Sequence, residues 1–564
     1  MRKGIPEALE DMAPGKAVFL VAPTGYGKTS AIHHSWGKLR DRWGRVIHVL
    51  PLRALVSEVA KDAVRRGVPL SEVGYQAMIE KVEMEEGKVE KAPYLFSRYT
   101  VTTYDSYLFT LYLAPVAEAS RFNAHRDTGL MSVATAATIL DEVHLVLGID
   151  GGEGLREEEV KAFTSLVTTL RVLTMHLKVR VLAVTATLPK THIQTTLSKL
   201  GEWGVDSSVH VCLGRRGLKY YDELPNLKAH GLDEAYEALY DRYRGRVLTR
   251  VSKGSLIRDV EEVADSSRSV LVFCNTVSRA VEVYRALKGE FDAILIHSRL
   301  TDVDKRAKLR EIRERLNSGK ELVVVSTQCL EAGADFDFDT VVTEVAPPGS
   351  LIQRAGRGYR RLNERLGGLE GRHVAVIVNV SQESRDSASK VYPKAAVTGV
   401  AKALTEMVGG EGFFDWRFAE EKPCFVDLID SVEYAVKVNS KISKNLIGMV
   451  RTVDFDKNFR EYLEKLEKKF RGSLLREGAI IPLLTDSGVV AVSTHYLARK
   501  AEEILELEDD FAKAICETKE GLEERKVNRW RLIMRPLTTI TNLPGQLLGI
   551  KVKEGVYSRE VGLP

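Results

Sequence analysis

A candidate phosphate-binding loop lies near the start of the chain, in the segment APTGYGKT at residues 22–29. Gly25 and Gly27 permit backbone conformations in which several N–H groups converge on phosphate oxygens. Lys28 can reach the β- and γ-phosphates of a nucleotide, and the Thr29 hydroxyl can ligate Mg²⁺. A glycine-rich turn that binds nothing is the alternative, but the preceding apolar run and the Lys-Thr pair favour a P-loop. The candidate ATP contacts are Thr24, Gly25, Tyr26, Gly27, Lys28 and Thr29.

Two adjacent acids, Asp141 and Glu142, follow the apolar run ATIL at residues 137–140. The end of a parallel strand would place them at the same sheet edge as the phosphate-binding loop. Asp141 can hold Mg²⁺ through a water, and Glu142 can orient and deprotonate an attacking water. His144 is a third catalytic candidate, although an isolated histidine at such a place is more often structural. An ordinary acidic strand end is the alternative, which the nearby P-loop makes less favourable.

Two arginines in the segment QRAGRGYR, residues 353–360, could stabilise charge on a transferred phosphoryl group. Arg357 and Arg360 are three residues apart and therefore lie on one side of a helical turn. An arginine finger of this kind contributes ~10³–10⁵ in rate. A basic surface helix is the alternative reading of this segment taken alone.

Two groups of short apolar runs must position these residues. They occupy residues 17–22, 45–51, 99–104, 137–142 and 180–187, and then 269–275, 292–298, 321–327, 339–345 and 373–380. Runs that are apolar on both faces, with helical patterns between them, are typical of parallel sheets in α/β domains. Beyond residue 380 helical spacing predominates. We therefore predict two α/β domains at 1–215 and 216–385, the latter including a linker, and a mostly helical accessory domain at 386–564.

The composition excludes several other classes of protein. The formal net charge is +4 and the five cysteines form no CxxC pair, which argues against a zinc ribbon or a disulfide framework. Acidic residues interrupt any N-terminal signal pattern, and no uncharged apolar run reaches the ~18 residues of a membrane span. We therefore expect a cytoplasmic protein with no membrane partner. The 6 glutamines and 11 asparagines are few for 564 residues, which indicates a thermophilic source.

In their order along the chain, the P-loop, DEVH at 141–144 and QRAGRGYR resemble the motifs of superfamily 2 helicases of the DExH type. Other segments fit the same series: PLRAL (51–55), TTYDS (102–106), TAT (185–187), VFCNT (272–276) and STQCLEAGADFD (326–337). The resemblance implies two tandem RecA-like domains. The details of APTGYGKT, ILDEVH, VTATLP, HSR and QRAGRGYR look most like the helicase component of type I CRISPR-Cas interference.

This resemblance implies an ATP- and Mg²⁺-dependent translocase that moves 3′ to 5′ on single-stranded DNA. Thr185 and Thr187 would couple the ATP site to the strand, and Arg53, Thr103 and Thr327 would contact DNA phosphates. From the second domain, the implied ATP-site residues are Gly333, Asp335, Gln353, Arg357 and Arg360.

Two features depart from the family pattern. None of the 12 histidines is followed by Asp, and the chain begins about twenty residues before the P-loop, so we expect no fused HD nuclease. A separate nuclease subunit and an RNA-guided effector complex are then the expected protein partners. No clear glutamine motif precedes the P-loop, which leaves adenine specificity open. A repair or restriction translocase, an RNA helicase and a nucleotide-gated DNA-binding scaffold remain as alternatives.

Overall fold

The structure of the chain is a computed structural model, and it contains three β-sheets with helices around them. It describes residues 2–77, 82–115, 126–147, 157–331, 336–361, 371–451, 459–471, 473–475 and 478–564.

In the described residues the first sheet has ten strands in the order β10-β9-β1-β8-β7-β2-β6-β3-β5-β4. They are β1 (Ala17–Val21), β2 (Val46–Leu50), β3 (Val73–Gln76), β4 (Val82–Met84), β5 (Gly87–Lys91), β6 (Tyr99–Thr103), β7 (Ala137–Leu140), β8 (Val181–Thr185), β9 (Ser207–Val211) and β10 (Leu227–Ala229). Neighbours are parallel except β4 and β5. The helices of this region are α1 (Ile5–Asp11), α2 (Lys28–His34), α3 (Trp36–Trp43), α4 (Arg53–Arg65), α5 (Tyr104–Leu111), α6 (Arg126–Ala134), α7 (Glu157–Arg171), α8 (Lys190–Glu202), α9 (Arg215–Tyr221) and α10 (Glu234–Arg244).

The second sheet has seven described strands in the order β13-β14-β12-β15-β16-β11-β17. They are β11 (Val247–Ser252), β12 (Ser269–Phe273), β13 (Ala293–Ile296), β14 (Leu322–Ser326), β15 (Thr340–Glu344), β16 (His373–Asn379) and β17 (Glu411–Gly412). All pairs are parallel except β11 with β17. Its helices are α11 (Leu256–Ala264), α12 (Val277–Leu287), α13 (Asp302–Ser318) and α14 (Pro348–Ala355).

Strand β12 shows why these apolar runs form central strands. Successive side chains of a strand point to opposite faces, so a strand covered on both faces is apolar at every position. Val270 and Val272 belong to the core on one face of the second sheet, whereas Leu271 and Phe273 belong to the core on the other. The same reasoning applies to the first sheet, whose strand β1 is buried along its whole length. The predicted α/β fold with two parallel sheets is confirmed.

The region after the second sheet begins with helices, as predicted. They are α15 (Gln382–Ser389), α16 (Lys394–Val408), α17 (Phe425–Asp430), α18 (Ser440–Arg451) and α19 (Phe459–Phe470). Leu463, Leu466 and Phe470 of α19 are buried in the large core that also contains the first sheet. This first part of the C-terminal region therefore packs onto the α/β domains.

A third sheet follows, and it corrects the prediction of a mostly helical accessory domain for the last part of the chain. Its described strands are β18 (Ile480–Thr485), β19 (Gly488–Ser493), β20 (Leu507–Glu508), β21 (Phe511–Thr518), β22 (Gly521–Asn528) and β23 (Gln546–Lys551), with helices α20 (Thr494–Ile504), α21 (Arg529–Met534) and α22 (Pro536–Thr541). Ala512, Ala514 and Cys516 of β21 point into its core, alternating with more exposed residues. The inward residues of β21 are small, and the neighbouring strand β22 is heavily charged. Both features weaken the alternation of apolar and polar residues that indicates a strand in a sequence.

Two strand pairings reach beyond the predicted domain limits at 215 and 385. Strand β10 joins the first sheet, and β17 joins the second. Among the described residues, no helix has the length and apolar character needed to cross a bilayer.

Candidate active site

The phosphate-binding loop connects β1 to α2 at the carboxyl edge of the first sheet. Gly25 and Gly27 have φ values of +77° and +84°, in the left-handed region that other residues rarely adopt. Helix α2 begins at Lys28, directly after Gly27. The sequence at these two positions therefore determines the path of the loop.

The Lys28 ammonium group is held inside this loop. Its Nζ donates hydrogen bonds to the carbonyl oxygens of Ala22 and Pro23 at 2.9 and 3.0 Å. Burial lowers the pKa of Lys28, while the nearby carboxylates of Glu142 and Asp141 act in the opposite direction. Lysine and both acids therefore lie within electrostatic range of one another, as the sequence predicts.

Asp141 stands at the end of β7 and is linked to the P-loop directly. Thr29 Oγ1 donates a hydrogen bond to Asp141 Oδ2 at 3.2 Å, and His48 Nε2 lies 3.1 Å from the same oxygen. Burial alone would raise the pKa of Asp141, but the hydrogen bond and charge of His48 and the charge of Lys28 lower it. Asp141 is therefore held as a carboxylate, the form that a Mg²⁺ site requires.

His48 is a site residue that the sequence analysis did not identify. It lies on β2, fully buried, and its Nδ1 is hydrogen-bonded to the Tyr99 hydroxyl at 2.8 Å. The only signal in the sequence is a histidine inside the otherwise apolar run VIHVL. A buried polar side chain in a central strand needs a hydrogen-bond partner. A search for that partner at the ends of the neighbouring strands could have identified His48 from the sequence.

Glu142, the second acid, differs from Asp141 in the direction of its pKa shift. Its backbone is left-handed, with φ +49°, and its buried Oε2 accepts no hydrogen bond from the described residues. Burial raises its pKa to about 7, although the charges of Lys28, Arg357 and Arg360 oppose this effect. A carboxyl group with a pKa near neutrality suits a group that accepts a proton and then releases it.

His144 joins the two sheets. Its Nδ1 lies 3.1 Å from Thr185 Oγ1 at the end of β8, and its Nε2 lies 3.2 Å from Gln353 Nε2 on α14. The backbone N–H of Thr187 donates to the same Thr185 hydroxyl at 3.2 Å. Burial, with the charge of Lys28, lowers the pKa of His144 to about 3, so the ring is neutral. The contact gives the predicted coupling residues a physical path to the second sheet.

The arginine segment, residues 356–360, follows α14 and faces the P-loop. Arg357 Nε and Nη2 donate to the carbonyl oxygen of Glu331 at 3.2 and 2.5 Å. The Arg360 backbone N–H donates to Asp337 Oδ1 at 2.8 Å, while its side-chain charge acts on both Lys28 and Glu142. Residues more than 200 positions apart in the sequence therefore meet at one place.

Arg354 is a second residue that the sequence analysis left without a role. Its fully buried guanidinium group donates to Glu331 Oε1 at 2.7 Å and to Asn275 Oδ1 at 2.9 Å. It also donates to Thr343 Oγ1 at 3.0 Å. Because this network fixes both α14 and Glu331, it also fixes the carbonyl group that Arg357 contacts.

The remaining predicted residues differ in what the structure shows of them. Gly333 and Asp335 lie outside the described residues. Tyr26 is buried and its hydroxyl donates to the carbonyl oxygen of Lys3 at 3.1 Å, whereas the hydroxyl of Thr24 has no hydrogen-bond partner among the described residues. Thr103 caps α5 by accepting a hydrogen bond from Ser106 N at 3.3 Å.

Arg53 and Thr327 lie near a lysine that the sequence analysis did not name, Lys305 of α13. Burial lowers the pKa of Lys305, and the charge of Arg53, from the first sheet, adds to this shift. Lys305 also interacts electrostatically with Cys329, which is hydrogen-bonded to Thr327. A cation on a helix beside the first sheet therefore approaches a cation on a helix beside the second.

The residues present fit ATP and Mg²⁺. The buried Oγ1 of Thr24 and Oε2 of Glu142 lack hydrogen-bond partners among the described residues, and buried polar atoms of this kind call for a ligand or water. Lys28 would hold the β- and γ-phosphates, and Thr29 and Asp141 would hold the metal.

The raised pKa of Glu142 predicts a stability difference. Its folded-state pKa of about 7 exceeds the ordinary value of 4.5, so the folded protein binds more protons between these values. The free energy of unfolding therefore falls as pH rises through this window. We expect Glu142→Gln to stabilise the nucleotide-free protein by ~1–3 kcal/mol above pH 7 and to have little effect below pH 4.5.

Thermal unfolding of both proteins at pH 4 and pH 8 checks this expectation. Glu467→Gln is the control, because Glu467 is also buried but accepts hydrogen bonds from the backbone N–H groups of Leu537 and Thr538 at 2.7 and 3.0 Å. It should lower stability. Equal melting temperatures for Glu142→Gln and wild type at pH 8 would contradict the assigned electrostatics.

Two family descriptions match separate parts of the chain. Residues 3–196 match the DEAD/DEAH box helicase family, and residues 266–363 match the C-terminal part of the CRISPR-associated nuclease/helicase Cas3 family. The first match contains the P-loop and both acids, and the second contains the arginine segment.

Curated relatives give the same result. The chain is 27% identical over 359 residues to the CRISPR-associated nuclease/helicase Cas3 of Methanothermobacter thermautotrophicus, covering 61% of this chain and 38% of that protein. It is 25% identical over 419 residues to the CRISPR-associated helicase Cas3 of Thermoproteus tenax, covering 72% of this chain and 62% of that protein. The chain thus spans less than two thirds of the length of either relative.

Among solved structures, the crystal structure of T. fusca Cas3-ADP is similar, with a TM-score of 0.54 and 17% identity. The match covers 86% of this chain and 59% of that chain. At this level of identity the similarity concerns the fold, and it agrees with two tandem parallel sheets followed by an accessory region.

Proposed function

We propose that the chain is an ATP-dependent DNA helicase of CRISPR interference. The reason is that it joins a segment that matches DEAD/DEAH box helicases to a segment that matches the C-terminal part of Cas3. In more detail, we propose that it moves 3′ to 5′ on single-stranded DNA. The observation that carries the proposal is the meeting of Lys28 and Glu142, from the first sheet, with Arg357 and Arg360, from the second.

The chemistry follows from the positions of these side chains. Bound ATP and Mg²⁺ would supply the γ-phosphoryl group and neutralise part of its charge. Glu142 is placed to take a proton from the attacking water, and Arg357 and Arg360 are placed to stabilise charge that develops on the phosphoryl oxygens. Lys28 would leave the loop carbonyls that it now contacts, because a phosphate is the stronger acceptor for an ammonium group.

Movement follows from the location of this site between two sheets. A ligand held by Lys28 on one side and by two arginines on the other favours the closed arrangement, and its hydrolysis favours opening. The hydrogen bond between His144 and Gln353 links the two sheets directly. Closure would therefore also displace Thr185, which contacts the other nitrogen of His144. With each cycle of closure and opening, the DNA contacts of the first sheet would move relative to the DNA contacts of the second.

The DNA contacts that we propose are Arg53, Thr103 and Thr327, together with Lys305. Two cations that approach from different sheets repel each other, and a phosphate placed between them would relieve this repulsion. Contacts to phosphates do not depend on the base sequence, which suits a motor that must move along any strand. Binding should therefore weaken steeply as salt concentration rises.

For its partners, we propose an RNA-guided effector complex that delivers DNA and a separate nuclease subunit that cuts it. The Cas3 relatives support the first part. We also propose that the protein acts in the cytoplasm.

Strand displacement on tailed duplexes tests the proposal. We expect single-stranded DNA to stimulate ATP hydrolysis more than RNA does, and we expect a duplex with a 3′ tail to be unwound in preference to one with a 5′ tail. Lys28→Ala serves as the inactive control. Stronger stimulation by RNA would contradict the DNA assignment, and ATP-dependent binding without displacement would favour a scaffold instead.

A further inference from the structure

Arg417 is a buried arginine outside both family matches, and it contacts the arginine segment. Its Nη2 donates hydrogen bonds to the carbonyl oxygens of Gly358 and Gly356 at 2.7 and 3.3 Å. Its Nη1 donates to the carbonyl oxygen of Arg360 at 3.4 Å. One guanidinium group thus binds three backbone positions that flank Arg357 and include Arg360.

The same guanidinium group lies against the P-loop. A β-carbon on Gly25 would stand 3.6 Å from Arg417 Nη1 and 3.9 Å from the hydroxyl of Tyr236. That hydroxyl donates to the carbonyl oxygen of Thr24 at 3.3 Å. Arg417 therefore binds the backbone of the arginine segment and lies close to the P-loop.

Asp415 fixes the backbone that carries Arg417. Its Oδ1 accepts hydrogen bonds from the N–H groups of Arg417 and Phe418 at 2.9 and 2.8 Å, and its Oδ2 accepts one from Glu420 N at 3.1 Å. Asp415 is fully buried. A carboxylate that accepts hydrogen bonds from three nearby amide groups makes a tight turn, which limits the directions in which Arg417 can point.

This turn, residues 415–420, is also attached to the first sheet's side of the molecule. Gly214, which follows β9, donates from its N–H to the Phe418 carbonyl at 2.8 Å, and Gly217 donates to the Ala419 carbonyl at 2.8 Å. A β-carbon on Gly214 would come within 2.6 Å of Glu420 Cα, so only glycine permits this approach. The 415–420 turn is therefore anchored independently of the arginine segment.

From these contacts we infer that Arg417 is a positioning residue, which sets the distance between the P-loop and the arginine segment. It acts through the carbonyl groups of Gly356, Gly358 and Arg360 and orients Arg357 and Arg360 toward the transferred phosphoryl group. Lysine cannot replace it, because a single ammonium group on a flexible stem does not present the planar, divergent donors of a guanidinium group. The inference rests on the proposed ATPase function and extends it to a residue outside the helicase motifs.

A double-mutant cycle tests this role. We expect Arg417→Lys to lower kcat for ATP hydrolysis by ~10–100-fold, because small displacements of catalytic groups are costly, with a much smaller change in KM. In an Arg357→Ala background the same substitution should lower kcat by a clearly smaller factor, because one of the two groups that it orients is already absent. Equal losses in both backgrounds would show a merely structural role and overturn the inference.

Hydrogen exchange gives a readout that does not depend on activity. In Arg417→Lys the backbone N–H groups of residues 354–361 should exchange faster than in wild type, with no change in the strands of the third sheet. Unchanged exchange in 354–361 would overturn the inference even if activity fell. If wild type shows no ATP turnover, the proposed function fails, and the exchange comparison still decides whether Arg417 holds the segment.

Two further variants keep the test decisive. Asp415→Asn should reproduce both effects in weaker form, because it weakens the turn without removing the guanidinium group, and it replaces Arg417→Lys if that protein does not fold. Trp416→Phe is the matched control. It removes the hydrogen bond from Trp416 Nε1 to Thr249 Oγ1, at 2.9 Å, from the same turn without touching the arginine segment. We expect it to leave kcat and the exchange of residues 354–361 unchanged.

Discussion

Replacement of Glu142 by glutamine is expected to lower kcat for ATP hydrolysis by ~10²–10⁴-fold, the contribution typical of a positioned general base. The amide cannot accept the water's proton, yet it has nearly the same shape as the carboxyl group. Lys28, Thr29 and Asp141 remain in place, so nucleotide affinity should be unchanged or higher. Steady-state turnover and titration with a fluorescent ATP analogue measure the two quantities separately.

The control for this prediction is again Glu467→Gln, which changes a buried glutamate whose carboxylate accepts hydrogen bonds from Leu537 and Thr538. It should keep wild-type turnover at temperatures at which it is folded. Normal turnover by Glu142→Gln would contradict the assignment of this residue as the base. Its loss of activity together with the gain in stability above pH 7 would show that the site holds this carboxyl group at a cost to the fold.

Replacement of Arg357 by alanine is expected to lower kcat by ~10³–10⁵-fold, because an arginine finger stabilises charge that exists mainly in the transition state. Nucleotide affinity should fall much less, since Lys28 and the loop N–H groups still hold the phosphates. The ratio of the change in kcat to the change in Kd is therefore the decisive quantity.

Arg258→Ala is a suitable control for this experiment, because Arg258 is an exposed arginine on α11 of the same sheet. It should affect neither quantity. Arg357→Lys should recover little of the lost rate. Two N–H groups of the Arg357 guanidinium donate to the carbonyl oxygen of Glu331, and a lysine ammonium group does not present this pair of donors. Equal losses of affinity and turnover in Arg357→Ala would mean that the arginine binds the ground state rather than the transition state.

Much of the fold follows from the sequence alone, because the signals of buried parallel strands are local. Runs of β-branched and apolar residues predicted ten strands to within two residues at each end, as β12 and β14 illustrate. Several edge strands were harder to predict. Strand β10 is short, and strand β22 is highly charged. Each forms a strand because it pairs with a neighbouring strand and not because of its own composition.

The candidate site divides in the same way. The sequence by itself determined the loop and strand-end residues whose chemistry lies in their types and close spacing, such as Lys28 with Thr29, and Asp141 with Glu142. Only the tertiary structure decided that His48 supports Asp141, that Arg354 and Arg417 hold the arginine segment, and that Lys305 approaches Arg53. The physical reason is that hydrogen bonds and electrostatic shifts depend on distance and burial, and these quantities arise only when residues hundreds of positions apart are packed together.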